Sequence, residues 1–116
     1  MYGLNQIILA LIFHALDLVS GLIGAVRQGH LQSSRMRDGM FKKVGFILCY
    51  VLALLIDTKG AEIGLSFGTK ILPIIIIYAV TTEIISILEN ICKINPDLVP
   101  AKLKSIFQIE DVKEGE

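Results

Sequence analysis

Two helical stripes gather the side chains of this sequence that could do chemistry. At about 100° per residue, Ala10, His14, Asp17, Gly21, Gly24 and Gln28 fall within roughly 80° of one another. Later in the chain, Tyr78, Thr82, Glu83, Ser86, Glu89, Asn90 and Lys93 share a sector of about 140°. Carboxylates, an imidazole and an ammonium can pair, line water or bind a metal. Catalysis needs more than that. No nucleophile–base–acid set is spaced for it, and the glycines form no phosphate-binding loop. His14 and His30 are separated by the rest of an apolar run, and Cys49 and Cys92 form no CxxC pair, so neither a metal site nor a disulfide is expected. The expectation is no catalytic residue, no metal and no cofactor.

Both stripes sit in strongly apolar elements. Hydrophobic residues make up 53% of the 116 and charged residues 19%, with a mean hydropathy of +0.68. So apolar a composition exceeds what one soluble core of this size can hide. The formal net charge is +0, which gives no basis for nucleic-acid binding. The expected class is an all-α membrane protein, with one membrane domain over 1–109 and an acidic tail at 110–116.

Three apolar runs suggest three transmembrane helices. The first, 4–26, is roughly 34 Å long, enough for a hydrocarbon core of about 30 Å. It lacks a basic leader and outruns a signal-peptide core, so it is expected to stay in the mature protein. A basic stretch follows, with Ser33-Ser34 and Gly39 reading as loop or short interfacial structure. The second run, 41–56, reaches a full crossing if the lysine stems at its start snorkel to the headgroups. The third, 65–94, holds Pro73, which predicts a kink or a helix start near Leu72. Its amphipathic extension, Tyr78 to Ile94, can either lie at the membrane surface or continue the span with its polar face on a cavity.

Basic residues set the expected orientation. Arg27, Arg35, Arg37, Lys42 and Lys43 stand against the single acid Asp38 in the first connection, whereas the second holds only Lys59 beside Asp57 and Glu62. By the positive-inside rule the first connection is cytoplasmic, giving an N-out/C-in, multi-pass protein.

Asp17 lies near the middle of the first span, where an ionised acid costs about 2.5–3.5 kcal/mol on insertion scales. Ser20-xxx-Gly24 and Gly21-xxx-Ala25 let another helix approach closely. This face therefore meets a helix or water. Two readings stay open: an oligomer seam or aqueous lining, and a contact within the chain with Asp17 protonated or paired with His14.

The segment Glu83-Ile84-Ile85-Ser86-Ile87-Leu88-Glu89-Asn90, with Pro100 downstream, resembles the E-x-x-S-I-x-E-N hallmark of phage holin family 4, which includes clostridial toxin-secretion holins. Asp17 with Gly21, Ser33-Ser34, Gly39 with Lys42-Lys43, and Asp57 extend the resemblance over about 10–107. Asn95-Pro96-Asp97 departs from it, since a glycine is expected near that bend. The resemblance implies a holin: a chain that oligomerises in the host's bacterial cytoplasmic membrane and opens lesions. These release or activate an endolysin, without direct contact, or export a toxin. Its partners would be the lipid bilayer and further copies of itself. His14, Asp17, Gly21 and Gly24 would then be seam or pore-lining residues, together with Glu83, Ser86, Glu89 and Asn90. Three rivals share these features: an antiholin, a small oligomeric channel or transporter, and a membrane anchor acting through Lys102, Lys104 and the tail.

Overall fold

The computed structural model describes residues 1–29 and 33–107. Helix α1 spans Leu4–Gln28, α2 Ser33–Lys59, α3 Leu72–Ile94 and the short α4 Ala101–Ile106. Turns of 3-10 helix lie at Gly60–Ile63 and Pro96–Leu98. No strand occurs among the described residues. Three helices are long and apolar enough to cross a membrane: α1, α2 with the turn that continues it, and α3. The fold is thus all-α with three candidate spans. His30 and the acidic tail at 110–116 lie outside the described residues.

Two helix boundaries differ from those of the apolar runs, each for a local reason. The stretch expected to be loop around Ser33-Ser34 and Gly39 is the first third of α2. No proline interrupts residues 33–43, and one glycine inside a helix costs only about 1 kcal/mol. The third run begins at 65 but its helix, α3, starts only at Leu72, the start that Pro73 offered as an alternative to a kink; Pro73 lies in the first turn, where a missing N–H leaves nothing unsatisfied. Helix α1 stops at Gly29, whose φ of 71° is the left-handed conformation glycine adopts freely. Its N–H caps the carbonyls of Ala25 and Val26.

Helices α1 and α3 run parallel and in register. Gly3 meets Leu72, His14 meets Glu83, Ser20 meets Asn90, and Gly24 meets Lys93, an offset of about 70 positions throughout. Helix α2 returns antiparallel, joining Tyr2 to Asp57 at one end and Asp17 to Lys43 towards the other. An apolar core forms between them from Ala10, Tyr50, Ala53, Leu72, Ile76 and Ala79. The outside is apolar as well: Ile8, Ile12, Val19 and Ile23 on α1, Leu48 and Leu52 on α2, and Ile74 and Ile77 on α3 are exposed. A bundle with a greasy exterior and buried charge suits lipid, not water.

Asp57 ties the three helices together at the end away from the basic stretch. Its Oδ1 accepts from the Ile71 N–H at 2.7 Å, and its Oδ2 accepts from the Leu72 N–H and the Tyr2 hydroxyl, each at 2.8 Å. The carboxylate therefore caps α3 from another helix and pins the start of the chain. Burial, then the hydrogen bond to Asp57 and the charge of that carboxylate, hold the Tyr2 phenol above its ordinary value. Asp57→Ala is expected to destabilise the bundle by about 1–2 kcal/mol, the usual worth of a helix cap. Thermal unfolding followed by circular dichroism in detergent measures it; an unchanged midpoint would remove the cap from the account.

Candidate functional site

The two polar stripes face each other inside a single chain. Helix α1 presents His14, Asp17 and Ser20, α3 presents Glu83 and Asn90, and α2 supplies Lys43 and Tyr50. Small residues make this possible. A Cβ on Gly21 would sit 3.3 Å from Asn90 Nδ2, and one on Gly24 would sit 3.2 Å from the Asn90 carbonyl oxygen and 3.3 Å from Lys93 Cβ. The backbones approach closely enough for short polar side chains to meet directly.

Asp17 is well supplied with donors. Lys43 Nζ stands 2.7 Å from its Oδ2, and Asn90 Nδ2 donates to its Oδ1 at 3.0 Å and to its carbonyl oxygen at 3.2 Å. Asn90 also reaches Ser20 Oγ at 3.1 Å, and that hydroxyl donates back to the Asp17 carbonyl at 3.2 Å. Glu83 is less well served. Its side chain is 0% exposed, with Lys43 Nζ and His14 Nδ1 each 3.2 Å from Oε2. Both approaches fall outside hydrogen-bond geometry. His14 Nε2 shares a 2.7 Å hydrogen bond with the Tyr50 hydroxyl, and Phe46 stacks on the imidazole with ring centroids 5.5 Å apart.

A cleft of about 300 Å³ opens beside this cluster towards the basic end of the bundle. Asp17, Gly21 and Lys43 form its inner wall, while Arg35, Glu89 and Lys93 stand among its outer lining. Ser86 lines it too. Of the residues singled out from sequence, His14, Asp17, Gly21, Gly24, Glu83 and Asn90 therefore converge, Ser86 lies at the margin, and Glu89 stands at the outer lining. The chain thus makes the contact within itself that the sequence left open, with different partners: Asp17 pairs with Lys43 and Asn90, not with His14. On α3, one continuous helix from Leu72 to Ile94, Glu83 and Asn90 of the polar stripe pack inward while Tyr78 and Glu89 stay exposed.

Arg27, Arg35 and Arg37 are exposed. Lys43 is not. Expected to snorkel outward, it is buried between two carboxylates, because α2 begins early enough to carry it into the bundle. Lys42 keeps to the surface with its ammonium 4.0 Å from Glu83 Oε1. Sequence reasoning missed Phe46 and Tyr50 as site residues and gave Lys43 only as an orientation-setting base. A signal was there: Gly39, Lys43, Phe46, Tyr50, Ala53 and Asp57 recur at three- and four-residue spacing, a third stripe visible once α2 is drawn from Ser33.

The family model described as the bacteriophage holin family matches residues 2–111. The chain belongs to that family. Among relatives, the uncharacterized protein Lmo0128 of Listeria monocytogenes is 32% identical, over 90% of this chain and 70% of its own length. The uncharacterized protein BH0965 of Halalkalibacterium halodurans is 28% identical, over 94% of this chain and 82% of its own. No solved structure matches the chain. Family membership and three membrane-length apolar helices together make this a holin-like, multi-pass membrane protein. Within it, the Glu83–Asn90 segment turns its first and last residues into the bundle and leaves Glu89 at the cleft's outer edge.

Proposed function

We propose that the chain is a holin, which accumulates in the host's bacterial cytoplasmic membrane and then assembles with its own copies into lesions. Those lesions release or activate an endolysin, or export a toxin. The role is mechanical, with no reaction catalysed. The orientation is N-out/C-in, which sets the cleft and the bases Arg27, Arg35 and Arg37 on the cytoplasmic side.

The observation that carries this reading is the internal pairing of the polar stripes in a chain of the holin family. Folded as described, a single copy shows lipid an apolar wall and hides Asp17, Lys43 and Glu83 within. It can stay in a bilayer without making it leak. If α1 and α3 part, the same groups can face water at the seam of a ring. Two arrangements differing by a few kcal/mol are enough for crowding to shift the population from one to the other.

The test is induction in a bacterium with and without a co-expressed endolysin. Abrupt loss of viability, with lysis only when the endolysin is present, is the expected result. Continued growth would overturn it, selective solute flux without killing would point to a channel or transporter, and delayed lysis on co-expression with a holin would point to an antiholin. Asp17→Leu sharpens the test. It is expected to insert normally, since it removes an acid from a span, but to abolish or mistime permeabilisation. Unchanged lysis timing at equal membrane abundance would reduce Asp17 to a packing residue.

A further inference from the structure

Charge counting inside the bundle leaves Glu83 over. The inward set comprises the partly buried Asp17 and the buried His14 on α1, Lys43 and Tyr50 on α2, and Glu83 on α3. Lys42, also on α2, faces the set from outside; its side chain is 45% exposed, so water screens its charge. The single ammonium of Lys43 serves two carboxyl groups, at 2.7 Å from Asp17, to which it also donates a hydrogen bond, and at 3.2 Å from Glu83, to which it does not; Asn90 adds a donor to Asp17. Glu83 then remains as a carboxyl that no water reaches and no donor meets in good geometry. A carboxylate so placed either finds a counter-charge or takes up a proton. The imidazole of His14 is the group at hand, with Nδ1 3.2 Å from Oε2 and its other nitrogen held by Tyr50.

We propose that His14 and Glu83 form a proton-binding site in the middle of the spans. The ligand is one proton taken from water in the cleft; on its uptake, Nδ1 and Oε2, 3.2 Å apart and each without a hydrogen-bond partner, close into the hydrogen bond they do not make without it. Taking it up brings the inward set from one net negative charge to none. Asp17 and Lys43 line the cleft and stand between it and the pair, which gives the proton its way in. Beyond Tyr50 the apolar core of Ala10, Ala53, Leu72, Ile76 and Ala79 closes the route. The site is thus served from the basic end and blocked at the other, and it holds whether or not the chain lyses cells.

The experiment uses the full chain in lipid nanodiscs, with His30→Gln so that His14 is the one imidazole. Ring nitrogen resonances report His14, and infrared absorption of the protonated carboxyl reports Glu83, both followed between about pH 5 and pH 8. The expected result is that ring and carboxyl signals change together with a single midpoint, and that Glu83→Gln abolishes the carboxyl change and moves the His14 midpoint at least tenfold in proton concentration. Signals constant across the range, ring and carboxyl changing at separate midpoints, or a His14 midpoint unmoved by Glu83→Gln would each overturn the site. Should Glu83→Gln fail to fold by circular dichroism, the coincidence of the two signals in the Glu83 chain decides alone.

Discussion

Lys43→Met is expected to be the most damaging single substitution in the bundle, lowering its stability by about 3–5 kcal/mol. Methionine matches the lysine stem in length, so little packing is lost. What goes is the ammonium between Asp17 and Glu83, whose side chains are 12% and 0% exposed. Removing one partner of a buried ion pair leaves an uncompensated charge, a far larger penalty than the net worth of the pair. The two carboxyl groups then also repel one another. Denaturant unfolding in mixed micelles measures the loss, and the double variant Lys43→Met with Asp17→Asn is expected to recover much of it. Lys42→Met is the control: its ammonium stands 4.0 Å from Glu83 and is nearly half exposed, so it is expected to change stability by well under about 1 kcal/mol. Equal effects at the two lysines would mean that burial of Lys43 is not what gives it weight.

That contrast marks where the sequence stops being legible. The apolar runs, the three spans and the α1 stripe from Ala10 to Gln28 follow from hydropathy and helical period, because both depend only on residues near in sequence. Pro73 likewise announces the start of α3. The partners of the stripes do not follow, since they depend on register between helices. Parallel alignment of α1 with α3 at an offset of about 70 positions decides that His14 meets Glu83 and not Asp17. Lys43 is the clearest case. Beside Lys42 in a basic stretch it reads as a headgroup anchor, and only the early start of α2 at Ser33 turns it inward while leaving its neighbour out. Asp57 is similar: in sequence a turn residue, in space the cap of a helix that begins 15 positions later.

The small residues divide by the same logic, and that division yields a prediction able to separate folding from assembly. Gly24 has no room for a side chain: a Cβ would press on the Asn90 carbonyl oxygen at 3.2 Å and on Lys93 Cβ at 3.3 Å. The first of these is backbone and cannot swing aside. Gly24→Leu must therefore push α1 from α3, at a cost of about 1–3 kcal/mol or more, and loosen the Asn90 contacts with Asp17 and Ser20. Gly45 on α2 is the opposite case, where an added Cβ would meet nothing within 4 Å. Gly45→Leu should leave the isolated bundle intact and strengthen the helix by up to about 1 kcal/mol. Unfolding in detergent is thus expected to become easier for Gly24→Leu and to stay as it was, or become harder, for Gly45→Leu. Lysis timing then has a distinct meaning in each. A defect in Gly24→Leu follows from a bundle that no longer closes. A defect in Gly45→Leu, with stability unharmed, reports a contact that one chain does not contain and places α2 at the seam between copies. If Gly24→Leu proves as stable as the parent, the close approach of α1 and α3 at Asn90 is not what holds the polar stripes together.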